Sequence, residues 1–118
     1  MPITVKRAYQ PPSTADGTRV LVDRHWPRGV RRDLAMLDAW MRDLAPSREL
    51  IAWFGHRAER WEEFRRRHWS ALEGSDYQDN LRLLRERAAR DRVTLVYGAR
   101  DEQHNNAVAL AEYLEKES

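Results

Sequence analysis

The sequence predicts an α/β domain, in which a small, mostly parallel sheet of three strands or slightly more is flanked by about five helices. Three observations carry that expectation. The apolar runs Val20-Leu-Val22 and Val93-Thr-Leu-Val96 are continuous rather than alternating, as in strands buried on both faces of a parallel sheet. Between and after these runs, apolar residues recur at helical spacing. The second run also passes through Gly98 directly into a helical pattern, which is the strand, turn, helix order of α/β folds.

At 118 residues and 42% hydrophobic content, the chain is expected to form one domain over 1–118 that buries roughly two-thirds of its unfolded surface. Five Trp, four Tyr and two Phe concentrate the packing in a few large side chains. The absence of cysteine excludes a disulfide framework, a thiolate nucleophile and a Cys-based metal site. No signal-like segment stands out and no apolar run approaches the ~20 residues that span a bilayer, so a cytoplasmic, non-membrane protein is expected.

Taken in order, Ile3 to Tyr9 alternates apolar and polar residues and reads as a short edge strand. Gln10 to Gly17, with two prolines, reads as a loop, and Arg19 to Trp26 as the second strand. Eight residues between Tyr9 and Thr18 are few for a parallel crossover, which leaves antiparallel pairing of the first two strands open. From Asp33 to Leu44, the residues Leu34, Leu37, Trp40, Met41 and Leu44 predict a helix that Pro46 stops. Ser47 caps the next helix, which runs through Leu50, Ile51, Trp53 and Phe54 to Gly55. A third, Glu59 to Leu72, carries Trp61, Phe64, His68, Trp69 and Leu72 on one side and the i,i+4 pairs Glu62–Arg66 and Glu63–Arg67 on the other. Ser75-Asp-Tyr-Gln78 has the capping-box pattern and starts a fourth, with Tyr77, Leu81, Leu84 and Ala88 as its stripe. The strand from Val93 and a last helix complete the chain, with Asp101 as N-cap and Ala107, Leu110, Ala111 and Leu114 inward.

Four blocks, Val20-Leu-Val-Asp-Arg-His-Trp-Pro-Arg-Gly29, Leu44-Ala-Pro-Ser47, Trp53-Phe-Gly-His56 and Ala99-Arg-Asp-Glu-Gln-His-Asn-Asn-Ala-Val108, resemble the signature blocks of the YeaO-like branch of the domain of unknown function 488 family. The resemblance covers almost the whole chain and implies an α/β domain, with no established activity. Larger relatives have a helix between the first two strands, which implies a parallel connection, with Pro-Ser-Thr-Ala-Asp here as its shrunken remnant. Those relatives tend to have a Cys-His-Arg turn after the last strand. This chain has His104-Asn105-Asn106 there, so thiol chemistry cannot operate. At position 25 the branch implies an aliphatic residue, which argues against His25 as a catalyst.

In an open sheet of this kind, ligands bind beyond the carboxyl ends of the strands. If the second and third predicted strands are parallel neighbours, Asp23 to Gly29 and Arg100 to Asn106 meet at one crevice. Arg24, Arg28 and Arg100 would then surround a helix N-terminus and hold a phosphate or carboxylate. Arg24 and Arg100 could instead pair with Asp23 and Asp101 or cap carbonyls, making a structural network. His104, with Asp23 beside it, is the candidate acid or base, the alternative being a packed imidazole with one structural hydrogen bond. Asn105 and Asn106 would orient a ligand or tie the two loops together. His56 is a further ligand-binding candidate, or a helix-terminal histidine placed by the dipole. Asp23, His56 and His104 match metal ligands by type but not by any known spacing, so neither metal nor cofactor is expected.

These residues point first to binding of an anionic small molecule, with hydrolase or transferase chemistry assisted by His104. The alternative is a nucleic-acid-associated or regulatory module using Arg65-Arg66-Arg67 with Arg82, Arg85, Arg87, Arg90 and Arg92. The pI of about 9.3 invites that alternative. The formal charge of only +2, from 21 basic against 19 acidic residues, argues against it. An oligomerising interaction protein is the third class, if the Trp-bearing helices expose an apolar patch.

Overall fold

Every residue of the run Val93–Tyr97 is buried, and the sheet is laid out around it. The computed structural model of the chain describes residues 3–116. It has four strands, β1 (Ile3–Arg7), β2 (Thr18–Leu21), β3 (Ala39–Trp40) and β4 (Val93–Tyr97), all parallel, in the order β1-β4-β2-β3. Arg7 pairs with Tyr97 on one side of β4, and Leu21 pairs with Val96 on the other. The two strong apolar runs are therefore parallel neighbours, and β1 is an edge strand. The helices are α1 (Arg32–Ala35), α2 (Arg48–Phe54), α3 (Trp61–Leu72), α4 (Gln78–Arg90) and α5 (Asn106–Lys116). No helix among the described residues is long and apolar enough to cross a membrane.

The short link between β1 and β2 does not make them antiparallel, because each pairs with β4 rather than with the other. The link returns through a single 3₁₀ turn, Thr14–Asp16, closed by a capping box between Ser13 and Asp16. Gly17, at φ 66°, then lets Thr18 N donate to Arg92 O at 2.9 Å. Asp16 is the hub of this return. Its carboxylate accepts from Lys6 Nζ at 3.1 Å and Arg19 Nη1 at 2.7 Å, while its carbonyl accepts from Thr94 Oγ1 at 2.7 Å. Burial pushes the Asp16 carboxyl up, but the bonds from Ser13, Lys6 and Arg19 outweigh it and hold the group below the usual carboxylate range.

Between Asp33 and Leu44 the structure departs from the predicted helix. A single turn, α1, ends at Met36, which takes the left-handed conformation at φ 51°. Leu34 and Met36 are 58% and 65% exposed, so two of the apolar residues in this stretch are not core at all. The reason lies across the sheet. Asp38 accepts from Arg19 N at 2.8 Å, its own N donates to Arg19 O, and Met41 N donates to Leu21 O, which pulls the segment alongside β2 as a fourth strand. β2 itself is shorter than Arg19 to Trp26, since the chain leaves the sheet after Val22 N donates to Val96 O at 3.1 Å.

The later helices follow the pattern more closely. α2 is capped by Ser47, whose Oγ accepts from Leu50 N, and ends at left-handed Gly55. Gln78 does not form a capping box with Ser75; its Nε2 donates instead to Leu72 O at 2.9 Å, bracing the end of α3. On α3, Glu63 pairs with both Arg66 and Arg67, and Glu62 pairs with Arg65 rather than Arg66. One core cluster joins β2 and β4 to α4 and α5 through Val20, Leu95, Leu84 and Leu110. A second stacks Phe54 on Phe64 at 4.4 Å, with Trp61 and Ala109 beside them.

His68 lies on the buried face of α3 at 1% exposure, and neither ring nitrogen has a protein hydrogen-bond partner among the described residues. Burial pushes its imidazole down to about 4. The folded value is below the ordinary 6.5, so on acidification the unfolded chain takes up this proton first. The stability that His68 contributes is complete above pH 6.5 and is lost as pH falls toward 4. Measured by urea unfolding, His68→Leu should gain on the wild type by about 3 kcal/mol over that window. Equal acid sensitivity of the two proteins would refute this. Gly17→Ala should cost about 3 kcal/mol in the same assay, because its Cβ would meet Arg92 O at 2.2 Å in a left-handed backbone.

Candidate functional site

Asp23 stands just beyond the carboxyl end of β2, and two distant segments converge on its carboxylate. Oδ2 accepts from Gly98 N at 2.9 Å and Oδ1 from Asn106 Nδ2 at 3.0 Å. The same Asn106 amide also donates to Val22 O at 3.0 Å. Residue 98 has to be small for this to happen, since a Cβ there would lie 3.1 Å from Asp23 Oδ2 and 3.4 Å from Pro27 Cβ. Burial pushes the Asp23 carboxyl above its usual range, and the bonds from Asn106 and Gly98 only partly oppose it.

The turn after β4 is organised by Asp101, though not as the cap of α5. Asp101 Oδ1 accepts from Gln103 N at 2.9 Å and His104 N at 3.0 Å, and Oδ2 lies 3.0 Å from His104 Nδ1. The bonds from Gln103 N and the His104 ring hold this carboxyl below the usual range. The cap is Asn105, whose Oδ1 accepts from Val108 N at 2.9 Å while its Nδ2 donates to Asp101 O. α5 therefore begins at Asn106, later than predicted, with one first-turn amide already satisfied. A carboxylate on Nδ1 makes that nitrogen the donor and leaves Nε2 for a ligand, as an acceptor on the neutral ring and a donor on the protonated one. The His104 and Trp61 rings pack in a T-shaped contact with centroids 5.3 Å apart.

A cavity of about 260 Å³ opens between the two loops. Its polar lining residues are Asp23, Arg24, His25, His56, His104, Asn105 and Asn106; its apolar lining residues are Ala45, Pro46, Ile51, Phe54, Phe64 and Ala99. Successive left-handed residues, Gly55 and His56 at φ 53° and 58°, turn the chain at the end of α2 and bring His56 to the rim. Six of the predicted site residues are thus assembled: Asp23, Arg24, His56, His104, Asn105 and Asn106. Arg28 and Arg100 are exposed and do not line the cavity. Arg24 directs its guanidinium to Pro46 O at 3.0 and 3.2 Å, and to Ala45 O at 3.5 Å, which is the carbonyl-capping alternative and not an ion pair with an aspartate. The three-arginine cradle does not form, because Arg28 follows Pro27 into an outer turn and Arg100 follows Ala99, whose carbonyl is drawn to Arg7 Nε at 2.8 Å.

The apolar wall is what sequence reasoning missed. Phe54 and Phe64 read as helical core stripe, and nothing in their spacing signals that one end of the stripe faces a crevice. Asp23, His56 and His104 share the cavity, but among the described residues no three such side chains form a group that could hold a metal. The basic run on α3 is largely neutralised, with Arg65 on Glu62 and Glu112, and Arg66 and Arg67 on Glu63.

A family model described as the inactive DUF488-N3 subclade matches residues 2–118. An uncharacterised protein of Mycobacterium tuberculosis is 39% identical over 112 residues, which is 95% of this chain and 92% of its own length. The uncharacterised protein YeaO of Escherichia coli is 34% identical over 114 residues, or 97% of each chain. No solved structure matches.

The hydrogen bonds make Asp23 the residue that holds the two loops together. Asp23→Ala would strand the Gly98 amide and the Asn106 side chain and should lower stability by about 2 kcal/mol in urea unfolding. Arg28→Ala and Arg100→Ala should each stay within about 0.5 kcal/mol of the parent. A neutral Asp23→Ala, or a large loss at either arginine, would show that the loops are held in another way.

Proposed function

The chain belongs to the inactive DUF488-N3 subclade, and we propose that it is a binding domain for a small organic carboxylate, held between the loops that follow β2 and β4. The observation that carries this reading is the mixed lining of the cavity, which combines Pro46, Ile51, Phe54 and Phe64 with Arg24, His25, His56, His104 and Asn106. Apolar ligand surface laid on the first set gains about 25 cal/mol per Å². The second set supplies donors for a charged head, and a charge-assisted bond there is worth about 1.5–3 kcal/mol. A bare phosphate would leave the apolar residues uncovered. It would also find only one arginine, already held on backbone carbonyls.

Binding is favoured over hydrolase or transferase chemistry by the same wall. Among the described residues that line it there is no hydroxyl, thiol or amine side chain to act as nucleophile. Both oxygens of Asp23 are engaged. The description of the family as inactive agrees with that. His104, oriented by Asp101, then serves to receive the ligand's head rather than to turn it over.

Thermal-shift titration tests this directly. Benzoate or phenylacetate should raise Tm in a saturable way, whereas inorganic phosphate at equal concentration should not. His104→Gln should weaken the carboxylate by roughly tenfold or more, while Arg28→Ala and Arg100→Ala bind as the parent does. Absence of a shift with any carboxylate, or unchanged binding by His104→Gln, would remove the reading.

A further inference from the structure

Some large apolar side chains are spent neither on the core nor on the cavity between the β2 and β4 loops. Tyr9 and Leu34 are 47% and 58% exposed and belong to neither core cluster, and they line one groove together with Pro11, Pro12, Val30 and Arg31. The groove encloses about 500 Å³ and shares no lining residue with the first cavity. It is built by the segment that follows β1 and by the turn that leads into α1. Tyr9 Oη fastens the two by donating to Arg28 O at 2.7 Å, and Trp26 Nε1 braces the second by donating to Val30 O at 2.8 Å. The hollow is therefore held by bonds of the fold itself, and an exposed apolar surface of this kind marks a contact with another molecule.

The charge around the groove selects the molecule. The segments 7–12 and 28–36 carry Arg7, Arg28, Arg31 and Arg32 against the single acid Asp33, in a chain whose formal charge is only +2. Asp33 is taken by Arg31. Arg7 is held on the Ala99 and Gly98 carbonyls and lies over the Tyr9 ring at 4.7 Å, while Arg32 lies over the Trp26 ring at 4.3 Å. Among the described residues no carboxylate pairs with Arg7, Arg28 or Arg32. Such arginines are complementary to acidic groups that arrive with an apolar group between them. Base stacking is disfavoured, because Tyr9 and Trp26 already carry a guanidinium over a ring face. A bilayer is disfavoured as well, because it takes up protruding apolar side chains and would not fill a hollow. We propose that this groove docks an acidic peptide segment of a partner protein, which seats an apolar side chain between Tyr9, Pro12 and Leu34 and sets its carboxylates on Arg7, Arg28 and Arg32. The proposal goes beyond the carboxylate reading and does not depend on it.

The test titrates the full ¹⁵N-labelled chain with the peptide Glu-Glu-Leu-Phe-Glu-Glu. The amide signals of Tyr9, Gly29, Val30 and Leu34 should move in a saturable way, and those of Asn105 and Asn106 should stay in place. The charge-reversed Lys-Lys-Leu-Phe-Lys-Lys and the anchorless Glu-Glu-Ser-Ser-Glu-Glu should each bind more weakly by roughly tenfold or more. The same loss is expected for the first peptide with Leu34→Ser or Arg28→Glu, whereas Arg82→Glu on α4 should bind it as the parent does. Leu34, Arg28 and Arg82 are all exposed, so these variants should keep the parent's Tm and report on binding alone. Unmoved groove signals, or a shift confined to Asn105 and Asn106, would overturn the proposal. Equal affinity for the anchorless peptide, or an equal loss in Arg82→Glu, would overturn it too, by showing attraction to bulk charge. Tighter binding of oligothymidylate or of phosphatidylserine vesicles, lost in Leu34→Ser and Arg28→Glu, would overturn it in favour of a nucleic acid or a membrane. A failure of benzoate to bind the first cavity leaves these groove signals as the deciding observation.

Discussion

A carboxylate taken out of water must find donors, and Asp23 finds them 75 and 83 residues away, at Gly98 N and Asn106 Nδ2. That requirement ties the end of β2 to the end of β4 and to the first turn of α5, and the cavity is the space left when those three are held together. Asn106 contributes twice, because its amide also closes Val22 O, the last carbonyl before the β2 loop turns away. Gly98 contributes by what it lacks. In this arrangement Asp23 works as a pin, with its oxygens spent on the fold before any ligand arrives.

The opposite end of the sheet is held by a different charged centre. Asp16 gathers Lys6 from β1 and Arg19 from β2, and its carbonyl takes Thr94 from β4, so one residue touches three strands. Arg19 then reaches on to Ala35 O at 2.9 and 3.2 Å, which fixes α1, and its backbone pairs with Asp38, which fixes the edge strand β3. A buried ion pair of this kind adds little net stability by itself, since desolvation offsets much of the attraction. Its value is geometric. It lets so short a segment make a parallel return that normally takes a dozen residues or more.

How much of this was legible in the sequence depends on the range of the interaction involved. The buried strands, the Ser47 cap, the Gly55 stop and the inward stripe of α4 are local, and composition and spacing revealed them. The family resemblance pointed to the parallel return of β2 where residue counting left it open. The segment from Asp33 to Leu44 misled, because Leu34 and Met36 are apolar and exposed, and because pairing with Arg19 and Leu21 outweighed a helical period. In the site, Asp23, His104 and Asn106 were recognisable as polar residues at strand ends. Arg28 and Arg100 were legible as residues but not as directions, since spacing does not say which way a loop side chain leaves. The Phe54–Phe64 wall was hidden for a related reason: a stripe shows which face is buried, not what lies past its end.

On the proposed reading, the charge balance of the cavity bears on which anions it would accept. An incoming ligand meets Asp23 and, behind His104, Asp101, so the site is not simply positive. Asp23 is the lesser obstacle, since its oxygens are already occupied and burial favours its protonated form. The Asp101 carboxyl is held below the usual range by Gln103 N and the His104 ring, and it fixes that ring through Nδ1. A phosphate dianion would meet both carboxylates, while among the described lining residues only the already committed Arg24 is permanently positive. On the carboxylate reading, a singly charged head on an apolar body therefore suits this lining better than a dianion does.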